Sequence, residues 1–371
     1  MRNLFPVVLM FVVMNAAAGT QPLVTLSDPA GDDFGDGTLV YPQRSDFRQG
    51  DLDLQQLQIS RDAHGFWFEA TLKNPVRAPV GVHATVGGDP LADSARKGFY
   101  QFNIDVYVDT DRIKGSGNSF TLPGRKVRID ADYAWERAVI LTPRPEMIRN
   151  QLIGALIEQY PDRAEAEIKA SVDRSLFFPT RIMVRGKSIR YFVPAGFFGG
   201  SDGGNWAATL LVTGALTSVP ANFSLGQSNR KPLDDLVLGV MQPADGHPVD
   251  TFGHGGGNSG PVVDMLGATA ELQVRQLAGK EALTGVTWGD GADAGRQPVM
   301  QVLPSVIPIS ELLQPEAAMI PRPAEQAPAQ IHPGHEGSIA QRLQALQQLL
   351  DQKLIDEAEY RQQKQRILNE L

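Results

Sequence analysis

The sequence predicts a mainly β protein: an antiparallel β-sandwich with a short helical insertion, followed by a two-helix hairpin at the C-terminus. Three observations predict it. Short runs of alternating apolar and polar residues, punctuated by Gly, Pro, Asn and Asp, recur between residues 50 and 241. A stretch with helical spacing interrupts them at residues 145–176. A segment rich in Pro, Ala, Glu and Gln, residues 314–337, then precedes a Leu-patterned tail. Many strands separated by turn signals, with few helices among them, are what two packed sheets require.

Each element follows from its own residues. In residues 50–60 the apolar positions are Leu52, Leu54, Leu57 and Ile59. The period slips by one between Leu54 and Leu57, which predicts a bulge or a bend. A turn at residues 61–65 leads into Phe66, Trp67 and Phe68, so residues 50–72 read as a β-hairpin. Phe99, Tyr100, Phe102, Ile104, Val106 and Val108 form a strand that ends in Asp109-Thr110-Asp111. Residues 135–141 form the next one. Met147, Ile148, Leu152, Ile153, Leu156 and Ile157 then recur at helical spacing, Pro161 breaks the run, and residues 164–172 resume it. Two short helices are expected there. Residues 181–185 and 188–194 flank a Gly186-Lys187 turn and read as a second hairpin. Residues 207–213 and 235–241 are further strands. The sandwich domain is expected to span residues 19–313, and residues 314–337 form a semi-extended linker.

In residues 338–371, Ile339, Leu343, Leu346, Leu349 and Leu350 line one face of a helix. Lys353-Leu354-Ile355 is a short connection, and Asp356 caps a second helix with Glu359 as its reciprocal partner. Tyr360, Ile367 and Leu368 face inward. A segment this short cannot bury a core alone. It is expected to pack on another copy, on the sandwich or on a protein partner.

Bulk composition narrows the function. A chain of 371 residues that is 42% hydrophobic can bury a sizeable core. The net charge of −8 argues against a nucleic-acid partner, because phosphate binding needs a basic surface. It leaves cations, neutral ligands or a basic partner. The absence of cysteine excludes disulfides, thiolate metal sites, a Cys nucleophile and a lipidated Cys. Arg2, the apolar residues 4–13 and the small residues Ala16, Ala17 and Ala18 form a Sec-type signal peptide over residues 1–18. That apolar run is shorter than the ~20 residues a spanning helix needs. The mature chain is therefore expected to have no membrane span and to be periplasmic or secreted from a bacterium.

Residues 27–42 hold the most distinctive chemistry. Asp28, Asp32, Asp33 and Asp36 stand among Gly31, Gly35 and Gly37. Glycine admits backbone angles that other residues avoid, and Asp side chains bond nearby amides, so the segment is a tightly wound loop. Hard cations select oxygen-rich loops of this kind. Asp28, Asp32, Asp33 and Asp36 are the candidate ligands of a structural Ca2+; the alternative is a set of Asx turns with solvated carboxylates. Asp109, Thr110 and Asp111 resemble the start of an EF-hand loop, but Ile113 and Phe120 stand where its later ligands belong. A polar turn at a strand end is preferred. His247, His254, Asp250 and Asp264 invite a zinc or triad reading, and Ser259 lies in a glycine-rich segment like a nucleophile loop. No upstream base is marked out for it, so a turn is preferred and no catalytic residue is assigned. Aromatic side chains grip sugar rings with their flat faces. Tyr41, Trp67, Trp135, Trp206 and Trp288 are the candidates; Tyr41 and Trp206 are assigned as ligand-binding, with core packing as the alternative.

Several separated segments carry a family resemblance in order along residues 24–313. They are Asp28-Pro29-Ala30-Gly31-Asp32-Asp33-Phe34-Gly35, Tyr41-Pro42 and Asp51-Leu52-Asp53-Leu54, then Asp105-Val106-Tyr107-Val108-Asp109-Thr110-Asp111, Leu122-Pro123-Gly124-Arg125 and Trp135. Pro179-Thr180-Arg181, Val193-Pro194, Phe252-Gly253-His254 with the glycines after it, and Val263-Asp264-Met265-Leu266 complete the set. Together they resemble the C-terminal binding-module family of glucodextranase, a DOMON-like β-sandwich akin to family 9 carbohydrate-binding modules. The chain departs from that family at Asp36-Gly37, where the family usually has Gly-Pro-Gly. The tail resembles a SHOCT domain, which implies oligomerisation or interaction. The DOMON-like relationship also brings in haem binders, and Met183 and His254 are conceivable ligands, but no spacing supports them. The resemblance implies an exported, non-enzymatic module for carbohydrate or a cell-envelope component. The alternatives are a periplasmic structural or protein-interaction protein without a sugar site and, more remotely, a hydrolase.

Overall fold

The computed structural model describes residues 20–44, 46–78, 85–86, 89–90, 97–216, 237–241, 251–254, 261–267, 269–279, 281–288 and 313. The expected signal peptide, linker and C-terminal hairpin, and the segment around Ser259, lie outside these residues. The chain divides into two units, Met1–Gln314 and Pro315–Leu371, and every described residue belongs to the first.

In chain order the elements begin with β1 (Gln21–Ser27), β2 (Leu39–Val40), β3 (Leu54–Arg61), β4 (Gly65–Leu72), β5 (Thr85–Val86), β6 (Asp89–Pro90) and β7 (Phe102–Asp109). β8 (Arg137–Leu141), the helices α1 (Pro145–Gln159) and α2 (Glu165–Ser175), β9 (Leu176–Phe177), β10 (Ile182–Arg185) and β11 (Ser188–Pro194) follow. The last are β12 (Ala207–Gly214), β13 (Val240–Met241), β14 (Phe252–His254), β15 (Val262–Met265), helix α3 (Ala270–Leu277) and β16 (Val286–Thr287).

The two large sheets have the strand orders β1-β3-β4-β11-β10 and β15-β12-β7-β8-β9, the latter with β16 also on β12; β13-β14-β2 and β5-β6 form two smaller sheets. The expected hairpins are present: β3 pairs with β4, and β10 with β11, both antiparallel. The predicted slip is a register shift between Leu54 and Gln56. Of the expected strand at 235–241, Val240–Met241 form β13 while residues 237–239 lie outside it, with Leu238 donating its N–H to Gly214 at 2.8 Å; residues 235 and 236 lie outside the described residues. Two pairings, β8 with β9 and β13 with β14, are parallel. Between β8 and β9 the two helices supply the crossover that a parallel pair requires.

The alternation of β7 shows how the layers are built. Ile104, Val106 and Val108 point between the sheets, where they meet Leu57, Ile59, Phe68, Ile189 and Tyr191 of the first sheet. Tyr107 points the other way, into a second cluster with Ala138, Ile140 and Leu211. Leu152, Ile153 and Leu156 of α1 and Ile168 and Val172 of α2 close over that outer face. Every residue of β7 and of β12 is therefore buried. Pro145 opens α1, where its missing N–H costs nothing, and Glu165 and Glu167 sit in the first turn of α2 with Arg174 in its last, in the sense the helix dipole favours.

A polar network runs through the second cluster. Asp105 and Arg125 are both fully buried, and the guanidinium makes two bonds to the carboxylate, at 2.7 and 3.1 Å. Tyr107 donates its hydroxyl hydrogen to Asp105 at 3.1 Å and accepts from the Leu122 N–H at 3.0 Å. Arg125 also donates to the Pro123 carbonyl at 3.1 Å. The segment around Leu122 is thereby pinned to β7. Removing one partner of such a pair leaves the other charged and dry, which costs about 3–5 kcal/mol. Asp105→Ala is expected to lower the unfolding free energy by about that amount, read from the midpoint of urea unfolding followed by tryptophan fluorescence.

Candidate functional site

The loop between β1 and β2 folds back on the sandwich through backbone bonds at both ends. Asp28 donates its N–H to Gln55 at 3.0 Å, and Gly35 donates to Val263 at 2.8 Å. Gly35 has φ +58° and lies so close to β15 that a Cβ would sit 2.6 Å from the Val262 carbonyl oxygen. Only glycine allows the loop to seat there. Seating it sets Asp28 and Asp32 beside Asp264 of β15, and oxygens of these three carboxylates lie within 4.8 Å of one another.

Their surroundings are dry and short of positive charge. Asp32 is 3% exposed and Asp264 is fully buried. Asp28 accepts the Gly267 N–H at 2.8 Å through Oδ1, while its Oδ2 is buried without a partner. Asp264 accepts from Leu54 at 2.7 Å and from Met265 at 2.8 Å. Asp32 Oδ1 is likewise buried and unpartnered. Gln273 of α3 holds the backbone here, donating to the Asp32 carbonyl and accepting from Met265 at 2.9 Å. Asp53 stands next to the trio; it accepts from the Gly31 N–H at 2.8 Å and from the half-exposed Lys73 ammonium at 2.9 Å.

Electrostatics follow from that geometry. Burial, then the charges of Asp32 and Asp53, push Asp28 from its ordinary 3.8 up to about 8, against the pull of the Gly267 N–H. Burial, then Asp53 and Asp33, push Asp32 up to about 6. Asp264 is pushed well above 3.8 by burial and by Asp28 and Asp32. Asp53 is raised by burial, with Lys73 holding it down, and Lys73 is raised in return by Asp53. Desolvated like charges at this spacing need protons or a cation. Oxygens within 4.8 Å of one another also fit around one ion, because Ca2+ takes oxygen ligands at about 2.3–2.6 Å.

The expected ligands do not all meet. Asp28 and Asp32 come together. Asp33 turns aside, its Oδ2 accepting from the Tyr41 hydroxyl at 2.5 Å and the Gly50 N–H at 2.6 Å. Asp36 closes its own turn by accepting from the N–H and hydroxyl of Thr38, at 3.0 and 2.7 Å. Asp264 and Asp53 complete the group. The sequence sets Asp264 in the apolar run Val262–Met265, and a carboxylate there marks a buried charge in need of a partner. His247 and Asp250 lie outside the described residues, as does the side chain of His254.

Neither assigned aromatic offers a free ring. Trp206 is fully buried against Phe66 and Phe198, and its indole N–H donates to Ser201 at 2.8 Å. Tyr41 spends its hydroxyl on Asp33 and sets its ring edge-on to Phe252 at 5.5 Å. Trp135 is in the second cluster.

A different surface carries polar and aromatic groups together. In the five-stranded sheet, Trp67 pairs across to Phe192, and Glu69 to Arg190. Gln58 lies beside Glu69, and Ser60 beside Trp67. These positions alternate with the core residues Phe66, Phe68 and Ala70, so they face away from the second sheet. Arg181 lies 4.5 Å from the Trp67 ring centre and Arg190 4.7 Å, sheathing the indole with guanidinium planes. Trp67 itself is only 6% exposed, so the face presents the partly open Phe192 ring and the guanidinium planes, edged by donors and acceptors that suit a sugar ring.

A model of the family described as the C-terminal binding-module, SLH-like, of glucodextranase matches residues 23–284. No curated protein matches the chain.

Each raised carboxylate contributes stability that is complete below its ordinary value and is lost as pH climbs through its folded value. In a chelating buffer the melting temperature is expected to fall by several degrees between pH 3.8 and about 8, the interval over which Asp28 is shifted. Asp28→Asn removes Asp28's share of that fall and leaves the shares of Asp32 and Asp264, and calorimetric melts of the two proteins across the range check it.

Proposed function

The chain belongs to the family of SLH-like C-terminal binding modules of glucodextranase, and from that premise we propose that it is an exported, non-catalytic binding protein for carbohydrate of the cell envelope. The family match over residues 23–284 carries the reading, because that family is one of binding modules rather than catalytic domains. The outer face of the five-stranded sheet is the contact surface. Second-sheet counterparts of these residues are sealed under α1 and α2, whereas Glu69, Arg190 and Phe192 are partly open. Ring carbons pack over Phe192 and the guanidinium planes, and hydroxyls bond Glu69, Arg190 and Gln58.

The trio of Asp28, Asp32 and Asp264 acts as a structural clasp that holds one Ca2+. It ties the loop after β1 to β15, far apart in sequence, and so steadies the edge of the sandwich. Asp32 and Asp264 are too deeply buried to reach a sugar-sized substrate, which favours this role over hydrolysis. Residues 1–18 direct export. Residues 338–371 serve self-association or a protein partner. Among the described residues no helix is long and apolar enough to cross a membrane.

Pull-down on insoluble polysaccharides tests the target. The folded protein is expected to be retained, and the double variant Arg181→Ala with Arg190→Ala to bind at least ~10-fold more weakly, as the loss of central contacts at a small interface implies. No retention on any polysaccharide would leave the protein-interaction alternative standing. Calcium at about 100 times its dissociation constant is expected to add about 2.7 kcal/mol of stability. A melting temperature that does not move on calcium titration, with Asp32→Asn as the control, removes the ion from the clasp. Deleting residues 338–371 is expected to lower the oligomeric state read from the light-scattering mass; an unchanged oligomeric state rejects the assembly role.

A further inference from the structure

We propose that Asp109, Asp111 and Glu136 form a second Ca2+ site at the open end of β7, separate from the clasp. Oxygens of the three carboxylates lie within 4.8 Å of one another. The group is assembled from two places. Asp109 closes β7, Asp111 follows in the turn, and Glu136 immediately precedes β8, the antiparallel neighbour of β7.

Local bonds aim the carboxylates without saturating them. Asp109 accepts the N–H groups of Asp111 and Arg112 through Oδ1, at 3.2 and 2.6 Å. Its Oδ2 is buried and has no partner, in a residue that is 1% exposed. An unpaired carboxylate oxygen in that position needs a ligand, because its desolvation is otherwise uncompensated. Glu136 accepts from the Thr110 N–H and hydroxyl through Oε2, at 2.8 and 3.0 Å. The Ser116 hydroxyl bridges Asp111 and Glu136, at 2.9 and 3.2 Å. Lys114 does not serve the group; its ammonium is 2.6 Å from Asp132. Burial, then the charges of Asp111 and Asp109, push Glu136 up to about 7 against the bond from the Thr110 N–H; Arg112 beside Asp109 and Arg137 beside Glu136 offset part of the group's negative charge.

All the donors are oxygen, which selects a hard cation over zinc or copper. Asp111 is exposed, so water can complete the six to eight ligands that Ca2+ takes. The site is not an EF-hand. The third carboxylate comes from the start of the neighbouring strand, so the loop needs no acid at Ile113 or Phe120.

Counting bound ions tests the proposal. The full-length protein, stripped with chelator, is titrated with CaCl2, and bound calcium is measured by equilibrium dialysis and elemental analysis. Asp111→Asn and Glu136→Gln are each expected to hold one ion fewer per chain than the wild type. Asp111 is exposed, so its variant keeps the wild-type melting temperature in chelator. Asp32→Asn leaves this ion in place, which separates the site from the clasp. Wild-type protein that binds no calcium overturns the proposal. So does calcium content that is unchanged in both Asp111→Asn and Glu136→Gln.

Discussion

Burial of β7 and β12 on both faces is the constraint on which the rest of the structure depends. A sheet that packs against another sheet has one dry face; this one has two. The outer face must then be covered, and α1, α2 and the segment around Leu122 cover it. Covering it also strands polar groups. Asp105 sits on the covered face, where only a fully bonded partner makes a charge tolerable, and Arg125 meets it there with a two-point contact. The residues that carried the family resemblance in this region, Asp105 and Leu122-Pro123-Gly124-Arg125, are the two halves of that one interaction.

The same constraint divides labour between the sheets. With the six-stranded sheet sealed, the five-stranded sheet alone among the two keeps a partly wet face. Its alternation sends Phe66, Phe68 and Ala70 inward and leaves Trp67 and Glu69 outward. Trp67 is covered by Arg181 and Arg190 rather than by another layer. The surface is therefore flat, polar and edged with planar groups, and it suits an extended ligand better than a small molecule in a cavity.

Negative charge gathers where strands end. Asp28 and Asp32 reach β15 from the loop that follows β1, and Asp109 and Asp111 meet Glu136 at the turn after β7. In both clusters backbone N–H groups satisfy some carboxylate oxygens and leave buried ones bare, Asp28 Oδ2 and Asp32 Oδ1 in the first and Asp109 Oδ2 in the second. Lys73 compensates Asp53 but lies at the edge of its cluster. A divalent ion is a compact way to neutralise several carboxylates while cross-linking segments that the ladder does not join.

How much of this the sequence determined depends on the range of the interaction. Hairpins were legible because apolar alternation and turn residues are local: the bulge after Leu54, the turn at Gly186-Lys187 and the break at Pro161 all stand where the pattern puts them. Strands such as β2 and β16 are two residues long and carry no periodicity of their own, so they follow only from their partners. The site was half legible. An acidic, glycine-rich loop announces itself, and Asp28 and Asp32 were in it. Asp264 and Glu136 join their clusters through the fold, from positions far along the chain. The direction in which Asp33 and Asp36 turn, and the burial of Trp206, likewise depend on what packs beside them. Composition and local pattern thus decide which residue types are present and which elements form. Tertiary structure decides which carboxylates share a volume and which aromatics reach water, because both are set by contacts between strands that the linear order does not reveal.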